Sequence, residues 1–273
     1  MNELRGTIPT EFGNLKHLVN IQISYNELTG SIPDELYEMK SLIRMNFEKN
    51  KLSGSISPKI SQLRDLKGFF FSTNELTGTI PTEFGTLQSL TYLRVAENRL
   101  KGKFPSELAG LMALHELWVS DNDISGEIPS QLGSLREMRD LRFRRNPLLS
   151  GTWPTGFWKN KHLAHLDIRG CNITGTLDPA IGEMETLAAL RVSRTGFYGS
   201  IPTEIGKLKF LRSFWVDNTD ISGVMPQEIC DAQTHSAFSD LAANCLGDDP
   251  QLECACCTGC CLSDGTGCKK MDK

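Results

Sequence analysis

The chain has 273 residues, of which 39% are hydrophobic, 23% charged and 8% aromatic, with a formal net charge of −4. That balance excludes a disordered chain, and a pI near 5.8 supplies no basic field for generic binding to nucleic acid or an anionic membrane. No apolar run reaches the roughly 18 residues a membrane span needs, and Met1 to Pro9 lack the charged start and apolar stretch of a signal peptide.

Along the chain one register recurs. A partial unit, Asn2 to Leu15, precedes nine starts at Leu18, Leu42, Leu66, Leu90, Leu114, Met138, Leu163, Leu187 and Leu211. The spacing is 24 residues except for 25 between Met138 and Leu163, where the turn from Asn146 to Gly151 takes the additional residue. In the unit starting at Leu90, the fixed positions are Leu90, Leu93, Val95, Asn98, Leu100, Gly102, Phe104, Pro105, Leu108 and Leu111. Leu93 and Val95 alternate with period two, which predicts a short strand with its apolar side chains pointing inward. Stacking at about 4.8 Å would give ten units a core roughly 48 Å long.

After each strand comes Asn2, Asn26, Asn50, Asn74, Asn98, Asn122 or Asn146. A buried amide carries two donors and an acceptor, enough to tie a turn to the neighbouring unit, so these residues are expected to form a ladder. The position becomes Cys171, Thr195 and Thr219 in the last three units. Glycine then allows a tight turn, and Ile-Pro fixes an extended return leg. Ser57 replaces that proline once, with Pro58 behind it.

The pattern LxxLxLxxNxLxGxIPxxLGxL resembles the plant-type leucine-rich repeat of receptor ectodomains and of secreted inhibitors of cell-wall-degrading enzymes. The resemblance spans residues 1–229. It implies an α/β repeat solenoid, a right-handed superhelix with a parallel concave β-sheet and short 3-10 or extended convex segments. No N-terminal cap is visible, because Met1 falls within a repeat. Ile8, Phe12, Leu15 and Leu18 are therefore expected to be exposed, as in a fragment of a longer receptor or an incomplete gene product.

Residues 230–273 read as a cysteine-rich C-terminal cap and tail. Eight of the nine cysteines lie there: Cys230, Cys245, Cys254, Cys256, Cys257, Cys260, Cys261 and Cys268. An even number suits four disulfides and an oxidising compartment, with the pairing open. Phe238, Leu241 and Leu246 are expected to plug the end of the core. A CxxC within Cys254–Cys261 also permits zinc or a thiolate cluster, although no metal is expected. The CxCCTxCC ending resembles leucine-rich-repeat proteins predicted in diatoms. Cys171 reads as a buried ladder thiol.

No catalytic constellation is present: no GxSxG, HExxH, P-loop or kinase signature. An enzyme and a cofactor are therefore not expected. His162 and His165 read as surface residues, and Asp248-Asp249 and Asp264-Gly265-Thr266-Gly267 as solvated turns. Asn172-Ile173-Thr174 is an N-glycosylation sequon.

Function in such a scaffold is expected on the outward strand positions. The first column runs Gln22, Asn46, Phe70, Arg94, Trp118, Arg142, Asp167, Arg191 and Trp215. The second includes Glu48, Ser72, Arg144 and Arg169, and the third Tyr25, Lys49, Arg145 and Arg194. Exposed Phe70, Trp118 and Trp215 beside arginines have the composition of a recognition hot spot. The cluster Arg142, Arg144, Arg145, Arg169, Arg191 and Arg194, only partly offset by Asp167, points to an acidic or carboxylate-bearing ligand. Arg142-Phe143-Arg144 also resembles the RxR pair with which some plant receptor ectodomains hold a peptide's carboxylate. The rival is a solvated face of internal Arg–Asp pairs.

The expected function is non-catalytic: a secreted or cell-surface recognition module, or receptor-like ectodomain, for a protein, peptide or acidic polysaccharide. Nucleic acid is not an expected partner. Alternatives are an inhibitor of a cell-wall-degrading hydrolase, a structural or adhesion protein of the wall, and an intracellular scaffold with a metal-bound cap. An ice-binding surface ranks low, since it asks for a regular Thr-rich convex array and the outer turns vary in type.

Overall fold

The computed structural model describes residues 3–235, 240–246, 250–262 and 269–270. Asn2, Phe238, Asp248, Asp249, residues 264–267 and Cys268 lie outside them. Each complete repeat contributes one three-residue strand, from Asn20–Gln22 to Ser213–Trp215, and these pair parallel in chain order. The inward leucines have nowhere to go but the coil interior. Leu90, Leu93, Val95, Leu100, Leu108 and Leu111 are all fully buried. Aromatic side chains run through that interior, with Phe69 4.2 Å from Phe71 and Phe71 5.1 Å from Phe47, centroid to centroid.

On the opposite side each Ile-Pro leg feeds a 3-10 turn. Pro81, at φ −61° and ψ 135°, leads into Thr82–Thr86, closed by the Leu87 N–H donating to the Phe84 carbonyl at 2.9 Å. Ser57, at the position lacking proline, accepts from the Lys59 N–H instead. Neighbouring 3-10 turns approach closely at Gly133 and Gly156, where a β-carbon on Gly133 would sit 2.9 Å from the Gly156 Cα. A second, flanking parallel sheet runs from Lys101–Lys103 to Asp220–Ile221.

The asparagine ladder forms as expected from the amide's chemistry. Asn122 Oδ1 accepts from the Leu100 N–H at 2.9 Å, and its Nδ2 donates to the Val95, Val119 and Ser120 carbonyls at 3.0–3.1 Å. The substitutes do less. Cys171 Sγ donates to the Phe143 carbonyl of the preceding repeat, whereas Thr195 and Thr219 donate only to Val192 and Val216 of their own. Asn244 resumes the ladder in the cap, accepting from the Asn218 N–H at 2.7 Å.

The sheet continues past residue 229. After the helix Gln227–His235, strand Asp240–Ala243 pairs parallel with Ser213–Trp215, and Gly259–Cys260 pairs with it in turn. Leu241 is fully buried and Leu246 packs against the core. Disulfides join Cys230 to Cys256, Cys245 to Cys260 and Cys254 to Cys257, and Cys261 is disulfide-bonded as well. At the other end, the expected apolar exposure is only partly found. Leu15 is 49% exposed, but Ile8 is buried, because it packs into the first coil.

Cys171 is free and buried, and burial pushes its thiol up to about 12. A thiol reagent at pH 8 is therefore expected to leave it unlabelled in the folded protein. After denaturation without reduction one site should label, rising to nine after reduction. Intact mass reads all three values.

Candidate functional site on the concave sheet

In a strand, residues two apart share a face. Each concave strand thus presents the residue before its central apolar position and the residue after it. The sequence columns captured the second of these and missed the first, which runs Tyr92, Glu116, Asp140, His165 and Ala189. That column supplies the counter-ions of Arg94 and Arg142, Glu116 and Asp140. The signal was available in sequence, since Asp140 stands two residues before Arg142.

The register lines the other column up strand by strand. Phe70 lies opposite Arg94, Arg94 opposite Trp118, and Trp118 opposite Arg142. Arg142 then faces Asp167, Asp167 faces Arg191, and Arg191 faces Trp215. The guanidinium groups lie over the rings. Arg94 Cζ is 5.2 Å from the Phe70 centroid and 3.8 Å from that of Trp118, whose ring also carries Arg142 at 4.1 Å. Farther along, Trp215 lies under Arg169 at 4.4 Å and Arg191 at 5.1 Å. Such contacts contribute about 0.5–2 kcal/mol each, more as water is excluded. The rings are half-buried by this stacking rather than freely exposed.

Most of the expected surplus of positive charge is neutralised in place. Arg94 pairs with Glu116 at 2.6 Å, Arg142 with Asp140 at 2.7 Å, Arg144 with Asp121 at 2.8 Å and Arg169 with Asp167 at 2.7 Å. Arg145 shares Asp121 at 3.2 Å. Both members of the RxR pair are thus engaged, while Phe143 between them is core. Arg191 instead donates to the Ser213 hydroxyl at 3.0 Å, and burial, aided by neighbouring Arg169, lowers its guanidinium from the ordinary range. Arg194 is exposed and forms no ion pair among the described residues.

Asp140 is 7% exposed, but the Arg142 side chain keeps 39% of its surface and can rehydrate. Asp140→Asn is therefore expected to cost about 1 kcal/mol, not the 3–5 of a wholly buried pair. A shift in the urea midpoint at unchanged slope checks this.

The third sequence column is not strand. Tyr25, Lys49, Thr73, Glu97, Asp121, Arg145, Arg194 and Asn218 all have φ between 51° and 59°, a left-handed turn at each strand exit. That turn lifts their side chains into a wall beside the strand residues. Between wall and stack runs a groove of about 390 Å³ floored by Ser72, Ala96 and Ser120, with Glu48 at one end and Arg191 at the other. Burial raises the Glu48 carboxyl above the usual carboxylate range, opposed first by Arg94.

Elsewhere, His162 and His165 are exposed, with His165 Nδ1 3.6 Å from Asp140. Asn172 of the sequon is exposed on the flanking sheet. The Cys245, Cys257 and Cys260 sulfurs lie within 4.8 Å of one another, and they would face a metal ion only with both of their disulfides reduced.

Known proteins repeat this architecture. The leucine-rich repeat family model matches residues 17–39, 89–111, 113–135 and 162–184. No curated protein sequence matches. Among solved structures, the plant peptide hormone receptor RGFR1 in complex with RGF2 is 30% identical, with TM-score 0.82 over 89% of this chain and 38% of the receptor. The Arabidopsis receptor kinase HAESA ectodomain, in complex with an IDA peptide hormone ligand, is 30% identical, with TM-score 0.83 over 93% of this chain and 41% of its own. The chain thus spans less than half the length of these receptor structures. A plant ice-binding protein is 27% identical, with TM-score 0.79 over 93% of this chain and 82% of its own. Repeat spacing, buried asparagine ladder and stacked parallel coils together give this chain a leucine-rich-repeat architecture, and the family model matches four of its repeats.

Proposed function

We propose that the chain is a non-catalytic extracellular recognition module that holds a peptide or extended protein segment along the concave sheet from Phe70 to Trp215. The observation that carries this reading is the stack of rings and guanidinium groups, clamped by carboxylates in the unliganded chain. Side chains ordered beforehand lose little entropy on binding, and tryptophan and arginine dominate interface hot spots. The peptide complexes of RGFR1 and HAESA support it. Disulfides in the cap suit an oxidising compartment. Arg191 and Arg194, which form no ion pair among the described residues, are the places for an acidic group of the ligand, peptide or glycan. No helix among the described residues is long and apolar enough to cross a membrane.

Panning a random dodecapeptide display library against the full chain tests this. Enriched peptides are expected to lose about ten-fold in affinity on Trp118→Ala or Arg191→Ala and to be indifferent to Tyr198→Ala on the flank. Peptides that bind wild type and Trp118→Ala alike would remove the concave face from consideration.

One observation favours a second reading, adsorption to ice. The ice-binding protein is matched over most of its own length. On the flank Thr7 lies opposite Thr29, Ser31 opposite Ser53, Ser55 opposite Thr77 and Thr152 opposite Thr174. Lys101, Lys103 and Glu127 interrupt that hydroxyl array. A gap between freezing and melting points at millimolar protein would favour ice; its absence leaves recognition alone.

A further inference from the structure

Among the described residues, the wall of left-handed turns that borders the groove has one break, at Gly170. Glycine is at ease at positive φ, here 68°. Yet eight other positions of the column hold the same turn with a side chain attached, so the conformation does not require it. Crowding does not require it either. A β-carbon on Gly170 would meet nothing nearer than 3.8 Å, where the Arg145 backbone and Cγ lie. With that side chain missing, Arg145 and Arg194 flank a notch about 10 Å across, two repeats at about 4.8 Å each. An extended chain between two neighbours takes that width.

Two further features converge on the notch. A hollow of about 250 Å³ lies on its concave side, against Ser193 and Trp215, and another of about 280 Å³ on its flank side. Gly170 and Arg194 line both, so the hollows meet across the glycine. The flank hollow is bounded by Pro147, in the turn whose additional residue breaks the 24-residue spacing. The repeat thus departs from its own rule twice at one place, and such departures gather at functional sites. Charge is out of balance there as well. Arg144 and Arg145 share one carboxylate, Asp121, and Arg194 is exposed with no ion pair among the described residues. Asp217, which lines the concave hollow, accepts from the Ser193 hydroxyl.

We propose that an extended peptide leaves the groove through this notch, crossing Gly170 with an aspartate or glutamate side chain against Arg194. The inference rests on the concave-face reading above and gives the bound chain a route, from the groove onto the flank beside Pro147. A guanidinium group pairs with a carboxylate through two parallel hydrogen bonds. At Arg194 the incoming carboxylate has no internal ion pair to displace, unlike at Arg142 or Arg144.

Gly170→Asn tests the passage, because asparagine accepts a left-handed turn, as Asn218 does in the same column. Its melting temperature should stay within about 4 °C of wild type. Dodecapeptides selected by the full wild-type chain are expected to bind Gly170→Asn about ten-fold more weakly. They should carry an acidic position whose Asp→Asn or Glu→Gln twin binds wild type about ten-fold more weakly, while Arg194→Ala binds both peptides alike. Arg194→Ala removes an exposed side chain, so this comparison stands whatever Gly170→Asn does to stability. Equal binding to wild type and Gly170→Asn, an acidic preference that survives Arg194→Ala, or selected peptides with no acidic position would each overturn the route and leave the recognition reading standing. Failure of wild type to select any peptide would overturn both.

Discussion

Asn122→Ala is expected to destabilise the solenoid by about 3–5 kcal/mol, although it removes no apolar contact. The side chain makes four hydrogen bonds to backbone groups, two of them, to Leu100 and Val95, in the preceding repeat. Each bond contributes about 1 kcal/mol net, and the Leu100 N–H, left without a partner, costs about 1–3, while the carbonyls of Val95, Val119 and Ser120 keep Asn98 Nδ2, Asn146 Nδ2 and the Glu97 N–H. Asn122→Thr gives the control, because Thr195 and Thr219 show that a hydroxyl keeps the bond within the repeat and loses those to the neighbour. It should cost about half as much. Repeat proteins gain stability from neighbour interfaces, so a central break should also lower cooperativity. Urea unfolding of Asn122→Ala should show a lower midpoint and a shallower slope. A loss below about 1 kcal/mol would mean that water replaces the amide.

The ladder and coil were legible because they rest on local chemistry repeated at fixed spacing. Leu93 and Val95 point inward by alternation alone, and Asn98 follows them wherever the turn recurs. The concave face was legible only in part. Phe70, Trp118 and Trp215 stood out by size, and their column was placed correctly. Their state was not. The partner of Arg94 is Glu116, which depends on register across strands, and that of Arg142 is Asp140, two residues back on its own strand, a spacing the arginine count passed over. Counting arginines therefore overstated the free charge. The left-handed turn at Glu97 and Asp121 was hidden for a related reason: only Gly170 in that column is glycine, so composition gave no sign of positive φ. The cap was legible as a staple and not as a continuation of the sheet, because Asp240–Ala243 lacks the repeat's asparagine spacing to the preceding turn.

Reducing the cap disulfides is expected to cost about 4–6 kcal/mol and to unfold the chain from its C-terminal end. Cys245–Cys260 closes 15 residues and Cys230–Cys256 closes 26, each loop worth about 3 kcal/mol of unfolded-state entropy, less some overlap between them. The location matters more than the sum. From Asn26 to Asn146 each ladder amide reaches into the preceding repeat, and Cys171 still does so through one weak bond to Phe143. Thr195 and Thr219 do not. The inter-repeat ties thus thin out where the stapled cap begins, and Asn244 restores them only while the cap is folded. Covalent cross-links substitute there for hydrogen bonds the sequence has given up. Hydrogen exchange of oxidised and reduced protein should accordingly diverge over residues 187–262 and coincide over residues 66–146. Uniform acceleration along the whole chain would show that the coil unfolds as one unit and that the threonine rungs mark no boundary. Divergence confined to the cap would show that Thr195 and Thr219 hold their repeats as well as asparagine does. The expected pattern lies between these, and it places Arg191, Arg194 and Trp215 on the segment whose order depends on the compartment's redox state.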